Sequence, residues 1–160
     1  MAFGDKRDKV CAFINIDFEA VGNWAERRHL AYGGYQDLSS REEVYGLLRE
    51  NIEKVNADLA ADEALAGSQI HRFVLLHKDL DADDGELTRT RKVRRNFISE
   101  KYEKIISALY SGADHVDVEA QVTFEDGRTG VIKADLRIRE ARRVEGHAAA
   151  ARQASPHDAP

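Results

Sequence analysis

The sequence is poor in cysteine, proline and long apolar runs. Its 160 residues include one cysteine, Cys11, and two prolines, Pro156 and Pro160. A single cysteine excludes an internal disulfide, and its apolar neighbours favour a small buried side chain in a protein of the reducing cytoplasm. No apolar run is long enough to cross a bilayer, and the charged residues 1–9 lack the apolar core of a signal peptide. We therefore expect a cytoplasmic protein that is at most peripheral at a membrane.

The sequence also lacks the commoner motifs of catalytic sites. It contains no glycine-rich phosphate loop and no serine or cysteine arrangement typical of a nucleophile. The six histidines are scattered, without the close paired spacing of zinc ligands. We interpret two of them, His71 and His77, as residues at the ends of one strand.

An acidic segment with a calcium-like pattern runs from residue 79 to residue 90. Asp79, Asp81 and Asp83 alternate as the ligands of a calcium loop do. Such a loop requires glycine where this chain has Asp84 and glutamate where it has Thr90. The segment therefore predicts a solvated turn, and we expect no metal site.

The composition indicates one domain of ordinary size. Hydrophobic residues make up 42% of the chain and charged residues 33%. A chain of 160 residues with this hydrophobic fraction can bury a single core. The net charge of -5 gives no general attraction to nucleic acid, so no nucleic-acid partner is expected from charge alone.

Two short apolar runs predict buried strands at residues 10–16 and 70–76. Asp17 can cap a helix that continues to about Arg28. Because the first strand has almost nothing before it, we interpret the chain as a piece of a longer polypeptide.

Two further helices are expected from the spacing of apolar residues. Ser39 and Ser40, followed by glutamates at 42 and 43, predict capping boxes for a helix that continues to about residue 59. A second apolar stripe predicts a helix at 96–110, and Gly112 is a typical helix stop.

In the C-terminal part of the chain, the spacing of apolar residues changes from a helical period to a period of two. Apolar and polar residues alternate over 116–124 and again over 132–138, with a turn sequence between them, which predicts an antiparallel hairpin. We therefore predict an α+β fold with a small sheet of about three strands flanked by helices, plus this C-terminal β-hairpin. The Ala- and Arg-rich residues 141–160 are expected to form a disordered tail.

A basic cluster precedes the predicted helix at 96–110, and it consists of Arg89, Arg91, Lys92, Arg94 and Arg95. Cations at a helix N-terminus oppose the helix dipole, at a cost of up to about 1 kcal/mol each. An anionic ligand or partner would offset that cost. One alternative is therefore a stand-alone module that binds an anion or nucleic acid through residues 89–95, although the aromatic residues of a base-stacking surface are missing.

The segment 85–95, Gly-Glu-Leu-Thr-Arg-Thr-Arg-Lys-Val-Arg-Arg, resembles the lysine motif near the C-terminus of AMP-forming long-chain fatty acyl-CoA synthetases. That motif runs Gly-x-Leu-Thr-x-Thr-x-Lys-x-(Lys/Arg)-Arg. Other segments follow in the order expected of this family, among them Gly4-Asp5-Lys6-Arg7, Trp24-Ala25 and Glu53-Lys54-Val55-Asn56. The resemblance covers roughly residues 3–139.

The resemblance implies that residues 1–140 are the mobile C-terminal lid of a fatty acid–CoA ligase. Its partner would be an N-terminal adenylation domain that, like the hinge, is absent from this chain. The full enzyme would use fatty acid, ATP with Mg²⁺, and CoA, all assembled at the missing domain and none bound by this chain alone. The isolated chain is accordingly expected to be inactive.

The same resemblance assigns roles to residues of the motif. Lys92 would be the catalytic lysine that contacts carboxylate and phosphate during adenylation. Thr88, Thr90 and Gly85 would support the loop, and the remaining possible anion contacts are Arg91, Arg94 and Arg95.

The chain departs from the family pattern at two positions. Arg91 stands directly before the lysine, where the wider superfamily has glycine, and Arg89 stands between the threonines, where proline is frequent. Both substitutions leave Thr88, Thr90 and Lys92 in register, although they could alter the flexibility of the loop.

Overall fold

A computed structural model describes residues 1–123 and 126–145. The strands are β1 (Ala2–Phe3), β2 (Val10–Ile14), β3 (Ile70–Leu75), β4 (His115–Thr123) and β5 (Thr129–Glu140). The α-helices are α1 (Phe18–Glu26), α2 (Tyr35–Ser40), α3 (Glu42–Ala61), α4 (Arg95–Lys101) and α5 (Glu103–Ser111), and a short 3-10 helix spans Ala66–Ser68. Within these residues, no helix combines the length and apolarity needed to cross a membrane.

The described strands form one mixed sheet in the order β1-β2-β3-β5-β4. β2 and β3 are parallel, and the other neighbours are antiparallel. The predicted α+β class is confirmed. The predicted sheet of about three strands plus a C-terminal hairpin is not confirmed in that form, because β4 and β5 pair antiparallel but belong to the same sheet as the other strands. The sheet has five strands in the described part of the chain, because β5 pairs with β3 as well as with β4.

Each face of the sheet carries its own apolar core. On one face Cys11 and Phe13 of β2 pack with α4, α5 and the inner residues of β5. On the other face Ala12 and Phe73 pack with α1, α2 and α3. The apolar runs of β2 and β3 are nearly continuous because both faces are covered.

The first helix begins where the sequence indicates. The carboxylate of Asp17 accepts a hydrogen bond from the Ala20 N–H at 2.9 Å, and the helix ends at Glu26, slightly before the expected Arg28. This contact satisfies one of the free N–H groups of the first turn.

The predicted capping boxes at Ser39 and Ser40 are wrong. Both serines lie inside α2, and their hydroxyls donate to the carbonyls of Gln36 and Asp37. α3 begins at Glu42 with Arg41 as its cap residue and without a side-chain cap. The serine hydroxyls are therefore used within α2, where they satisfy carbonyls rather than N–H groups.

The helix expected at 96–110 is divided at Tyr102 into α4 and α5. Gly112 ends α5 in a left-handed conformation with φ 82°, as the sequence predicts. The short strand β1, which the sequence does not predict, pairs with β2.

The predicted boundary at residue 141 falls within a segment that contacts the body. The Ala141 N–H donates to the His71 carbonyl at 2.9 Å, and the Val144 N–H donates to the Gln69 side chain at 2.8 Å. The rest of the expected tail, 146–160, and positions 124 and 125 of the expected hairpin lie outside the described residues.

Candidate functional site

Three residues of the basic cluster, Arg89, Arg91 and Lys92, lie on a tight hairpin at residues 87–93, here called the lysine loop, and Arg94 and Arg95 follow it at the start of α4. Leu87 and Val93 form an isolated antiparallel bridge at its base. The Thr88 N–H donates to the Lys92 carbonyl and the Arg91 N–H donates to the Thr88 carbonyl, both at 2.8 Å. The loop is therefore closed by its own backbone before α4 begins.

Both threonines of the motif stabilise this turn. The Thr88 hydroxyl accepts a hydrogen bond from the Lys92 N–H at 3.0 Å, and it lies 3.1 Å from the Thr90 hydroxyl. Arg91 adopts a left-handed conformation with φ 59°, which is unfavourable for a residue with a side chain. The glycine that the wider superfamily places at this position would adopt it without strain.

Lys92 follows this strained residue, and its side chain is exposed. Its backbone is fixed on both sides, by the Thr88 hydroxyl and the Thr88 N–H. Among the described residues no carboxylate lies within ion-pair distance of its ammonium. The loop therefore combines a fixed backbone with an ammonium that can contact an external anion.

Gly85 allows the loop to join the start of α4 closely. It has φ 75°, and a Cβ atom there would lie 3.3 Å from both the Arg94 guanidinium and the Phe97 ring. Arg94 donates to the Gly85 carbonyl at 2.8 Å and lies over the Phe97 ring. A side chain at position 85 would disturb this packing.

Two of the arginines assigned as possible anion contacts form bonds within the protein. Arg94 contacts Gly85, as described, and Arg95 donates to the Ala2 carbonyl of β1 at 2.8 Å. The cations of the basic cluster thus differ in their contacts, since Arg94 and Arg95 bind backbone carbonyls of the protein, and the cluster is not one uniform basic surface. Arg91 and Lys92 have no side-chain hydrogen bond among the described residues.

Glu86 is buried immediately before the lysine loop and anchors it, and no sequence pattern indicated this residue. Its side chain is fully buried, and its carboxylate accepts bonds from Lys78 at 2.8 Å and Lys101 at 2.9 Å, from the Tyr102 hydroxyl, and from the Asp81 N–H at 2.8 Å. Its carbonyl also accepts the Arg94 N–H. One residue thereby connects the acidic turn, the loop and both helices that follow.

The electrostatics of this anchor favour an ionised carboxylate. Burial alone raises the pKa of Glu86, but hydrogen bonds from Lys78, Tyr102 and Lys101 outweigh burial and lower the pKa to about 2. Burial and the bond to Glu86 raise the pKa of the Tyr102 hydroxyl, so it remains a donor.

The acidic turn is closed by its own residues. The Asp83 N–H donates to the Asp81 carboxylate at 2.9 Å, and Asp84 pairs with Lys78 at 2.8 Å. No group of three His, Cys, Asp or Glu side chains suited to a metal ion occurs in residues 1–123 and 126–145. His71 lies within β3 near its start, and His77 follows its end.

Comparisons with known proteins gave matches to curated sequences over parts of this chain. No family model matches the chain. No solved structure matches it either.

Several curated enzymes of one kind do match. Long-chain-fatty-acid–CoA ligase FadD15 of Mycobacterium tuberculosis is 30% identical over 109 residues, which are 68% of this chain and 17% of that protein. Long-chain-fatty-acid–CoA ligase ACSBG1 of Rattus norvegicus is 36% identical over 69 residues, 43% of this chain and 9% of the enzyme. Long-chain-fatty-acid–CoA ligase ACSBG2 of Mus musculus is 32% identical over 74 residues, 46% of this chain and 10% of the enzyme.

These matches agree with the family that the lysine motif indicated. The chain spans less than a fifth of the length of each of these relatives, since the matched parts are 17%, 9% and 10% of them. The chain therefore belongs to the family of long-chain fatty-acid–CoA ligases and corresponds to one region of those enzymes.

Proposed function

We propose that this chain is the mobile C-terminal lid of an AMP-forming long-chain fatty-acid–CoA ligase and supplies Lys92 to an active site on a separate adenylation domain. The full enzyme would join a fatty acid to ATP, giving an acyl-adenylate and pyrophosphate. CoA would then displace AMP and form the thioester. Mg²⁺ would accompany ATP in the adenylation domain.

The observation that carries the proposal is the presentation of Lys92. The lysine loop is closed by backbone bonds, and the exposed ammonium has no carboxylate partner among the described residues. A cation held in this way can meet an anion that another domain provides.

The chemistry of adenylation requires such a cation. A carboxylate must attack a phosphorus atom that carries negatively charged oxygens, so two anionic groups approach each other. A compact ammonium placed between them stabilises the charge that develops in the transition state. A lid that carries this ammonium would also control the second step, because its withdrawal would make room for CoA.

The test is reconstitution of the two half-reactions. The 160-residue chain is added to an adenylation domain of a long-chain fatty-acid–CoA ligase that lacks its own C-terminal region. Pyrophosphate release is measured with ATP and palmitate, and thioester formation is measured from preformed palmitoyl-adenylate and CoA. We expect the chain to restore both steps.

Lys92→Ala should lower pyrophosphate release by about 10²–10³-fold, the usual cost of removing one preorganised donor, and leave thioester formation unchanged. Arg89→Ala, a change of charge in the same loop, is the matched control and should retain both activities. Failure of the chain to restore pyrophosphate release, or equal loss of both steps in Lys92→Ala, would contradict the proposal.

A further inference from the structure

We propose that a second site, separate from the lysine loop and independent of the proposed function, binds a small amphiphile with an anionic head group between α5 and β4. The site is a cavity of about 410 Å³, here called the His77 cavity. Its lining includes His77, Lys104, Ile105 and Val118, and none of residues 87–93. This volume is within the range of small-molecule sites.

The first observation is the histidine itself. His77 is only 6% exposed, and neither ring nitrogen has a hydrogen-bond partner among the described residues. Buried polar atoms are usually paired, and leaving one unpaired costs about 1–3 kcal/mol. A ligand in the cavity that His77 lines would satisfy one of these nitrogens.

The chemistry of the ring agrees with an acceptor on the ligand. Burial, followed by the charge of Lys78, lowers the pKa of His77, while Glu86 opposes this and Lys101 adds to it. The imidazole is therefore neutral near pH 7 and offers one N–H donor. That donor can contact a carboxylate or phosphate oxygen without placing two cations side by side.

The second observation is an uncommitted ammonium. Of the charged groups in the lining, Lys78 and Lys101 bind Glu86, Asp84 pairs with Lys78, and Glu119 pairs with Lys133 at 3.2 Å. Lys104 has no ion pair or hydrogen bond among the described residues. The free charge of the cavity is therefore positive, which selects an anionic head group.

The body of the ligand is apolar. Ile105, Val118 and the Tyr102 ring line the cavity beside the polar groups. An anion with a short apolar body would satisfy both surfaces, as ligands of mixed pockets do.

The larger cavity on the other side of His77, about 540 Å³, is a poorer candidate. Its lining carries Asp37, Asp135 and Arg137, and Arg137 already pairs with Glu42 at 2.8 Å. It therefore offers no uncommitted cation among its described lining residues.

The test uses the full chain and three probes that differ only in the head group: hexanoate, hexanol and hexylamine. The ring nitrogens of His77 are followed by NMR, with His77→Phe to assign them. We expect hexanoate to shift these signals saturably and the other two probes not to do so. Lys104→Gln should weaken hexanoate binding about tenfold, since it removes one charge-assisted hydrogen bond.

Lys54→Gln, which removes an exposed lysine from α3, is the matched control and should bind hexanoate as the unmodified chain does. The proposal is overturned if hexanoate produces no saturable shift, if hexylamine binds equally well, or if Lys104→Gln binds normally. It is also overturned if Gln36→Ala, in the larger cavity, abolishes binding, because the ligand would then occupy that cavity instead.

Discussion

Arg91 holds a backbone conformation that suits glycine, at the residue immediately before the proposed catalytic lysine. A left-handed conformation costs a residue with a side chain about 1–2 kcal/mol. The loop tolerates this cost because the Arg91 N–H and the neighbouring Lys92 N–H both bind Thr88. The backbone strain therefore lies directly beside Lys92, whose ammonium must be positioned accurately for the proposed reaction.

Arg91→Gly should raise the free energy of unfolding, as measured by urea denaturation. Relief of the strain gains about 1–2 kcal/mol, and the greater freedom of glycine in the unfolded chain removes about 0.5–1 kcal/mol, so a net gain of up to about 1.5 kcal/mol is expected. Arg89→Gly is the control, because position 89 has no positive φ and the change should not stabilise. Equal effects of the two changes would show that strain at Arg91 is not the cause.

Glu86→Gln should destabilise the protein and change its acid sensitivity. Removing one partner of a buried ion pair costs about 3–5 kcal/mol, and the partial exposure of Lys78 and Lys101 reduces the expected loss to about 2–3 kcal/mol. Urea denaturation at pH 7 measures this difference.

The pH dependence of the same variant gives an independent check. The pKa of Glu86 falls from 4.5 to about 2 on folding, so its stabilisation is present above pH 4.5 and is lost as the pH falls toward 2. Glu86→Gln should therefore show a shallower loss of stability over this range than the unmodified chain. Parallel pH profiles for the two proteins would contradict the role assigned to the carboxylate.

Lys92 and its threonines could be proposed as a site from the sequence because they belong to one short motif, residues 85–95. Glu86 lies in the same stretch, but a glutamate in a polar segment is normally exposed. Its burial depends on Lys78, Lys101 and Tyr102, which approach it only in the folded chain. No local sequence pattern predicts that these residues meet at Glu86.

Helix α1 depends on the N-cap residue Asp17, which could be predicted from the sequence. Asp17→Ala should lower the free energy of unfolding by about 0.5–2 kcal/mol, because the Ala20 N–H loses its acceptor. Asp17→Asn retains an oxygen acceptor and should restore most of the stability. Thermal or urea unfolding of the three proteins measures both effects, and an equally destabilised Asp17→Asn would exclude capping as the cause.

Other helix boundaries could not be predicted, for physical reasons. The hydroxyls of Ser39 and Ser40 can satisfy either N–H groups or carbonyls, and they satisfy carbonyls in α2. The apolar stripe of α4 continues into α5, so the division at Tyr102 leaves no trace in the periodicity.

The five-stranded sheet joins the C-terminal strands to the rest of the molecule. Leu136 of β5 is buried in the core beneath α4 and α5, whereas Val131 of the same strand is 56% exposed. If the whole chain unfolds as one cooperative unit, a cavity at Leu136 should lower the free energy of unfolding of the entire domain.

Leu136→Ala should therefore lower the free energy of unfolding by about 2–5 kcal/mol, and Val131→Ala should change it by less than about 0.5 kcal/mol. Far-ultraviolet circular dichroism and Trp24 fluorescence should report the same unfolding midpoint in each protein. Separate midpoints would show that the C-terminal strands unfold independently.

The alternation of β4 and β5 predicts strands, but it does not predict the order of the sheet. The pairing of β5 with β3 depends on which apolar faces meet after α5, and β1 is too short to show a period. The fold class could thus be derived from the sequence, whereas the order of the strands in one sheet could not.

The position of β3 in the centre of the sheet has a consequence for biosynthesis. One neighbour, β2, is made long before it, and the other, β5, long after it, so few of its contacts are local in sequence. Proteins with such high contact order fold slowly. A nascent chain could not complete the sheet until residue 140 had left the ribosome. Until then, the exposed apolar edge of β3 would need to be shielded by chaperones against aggregation.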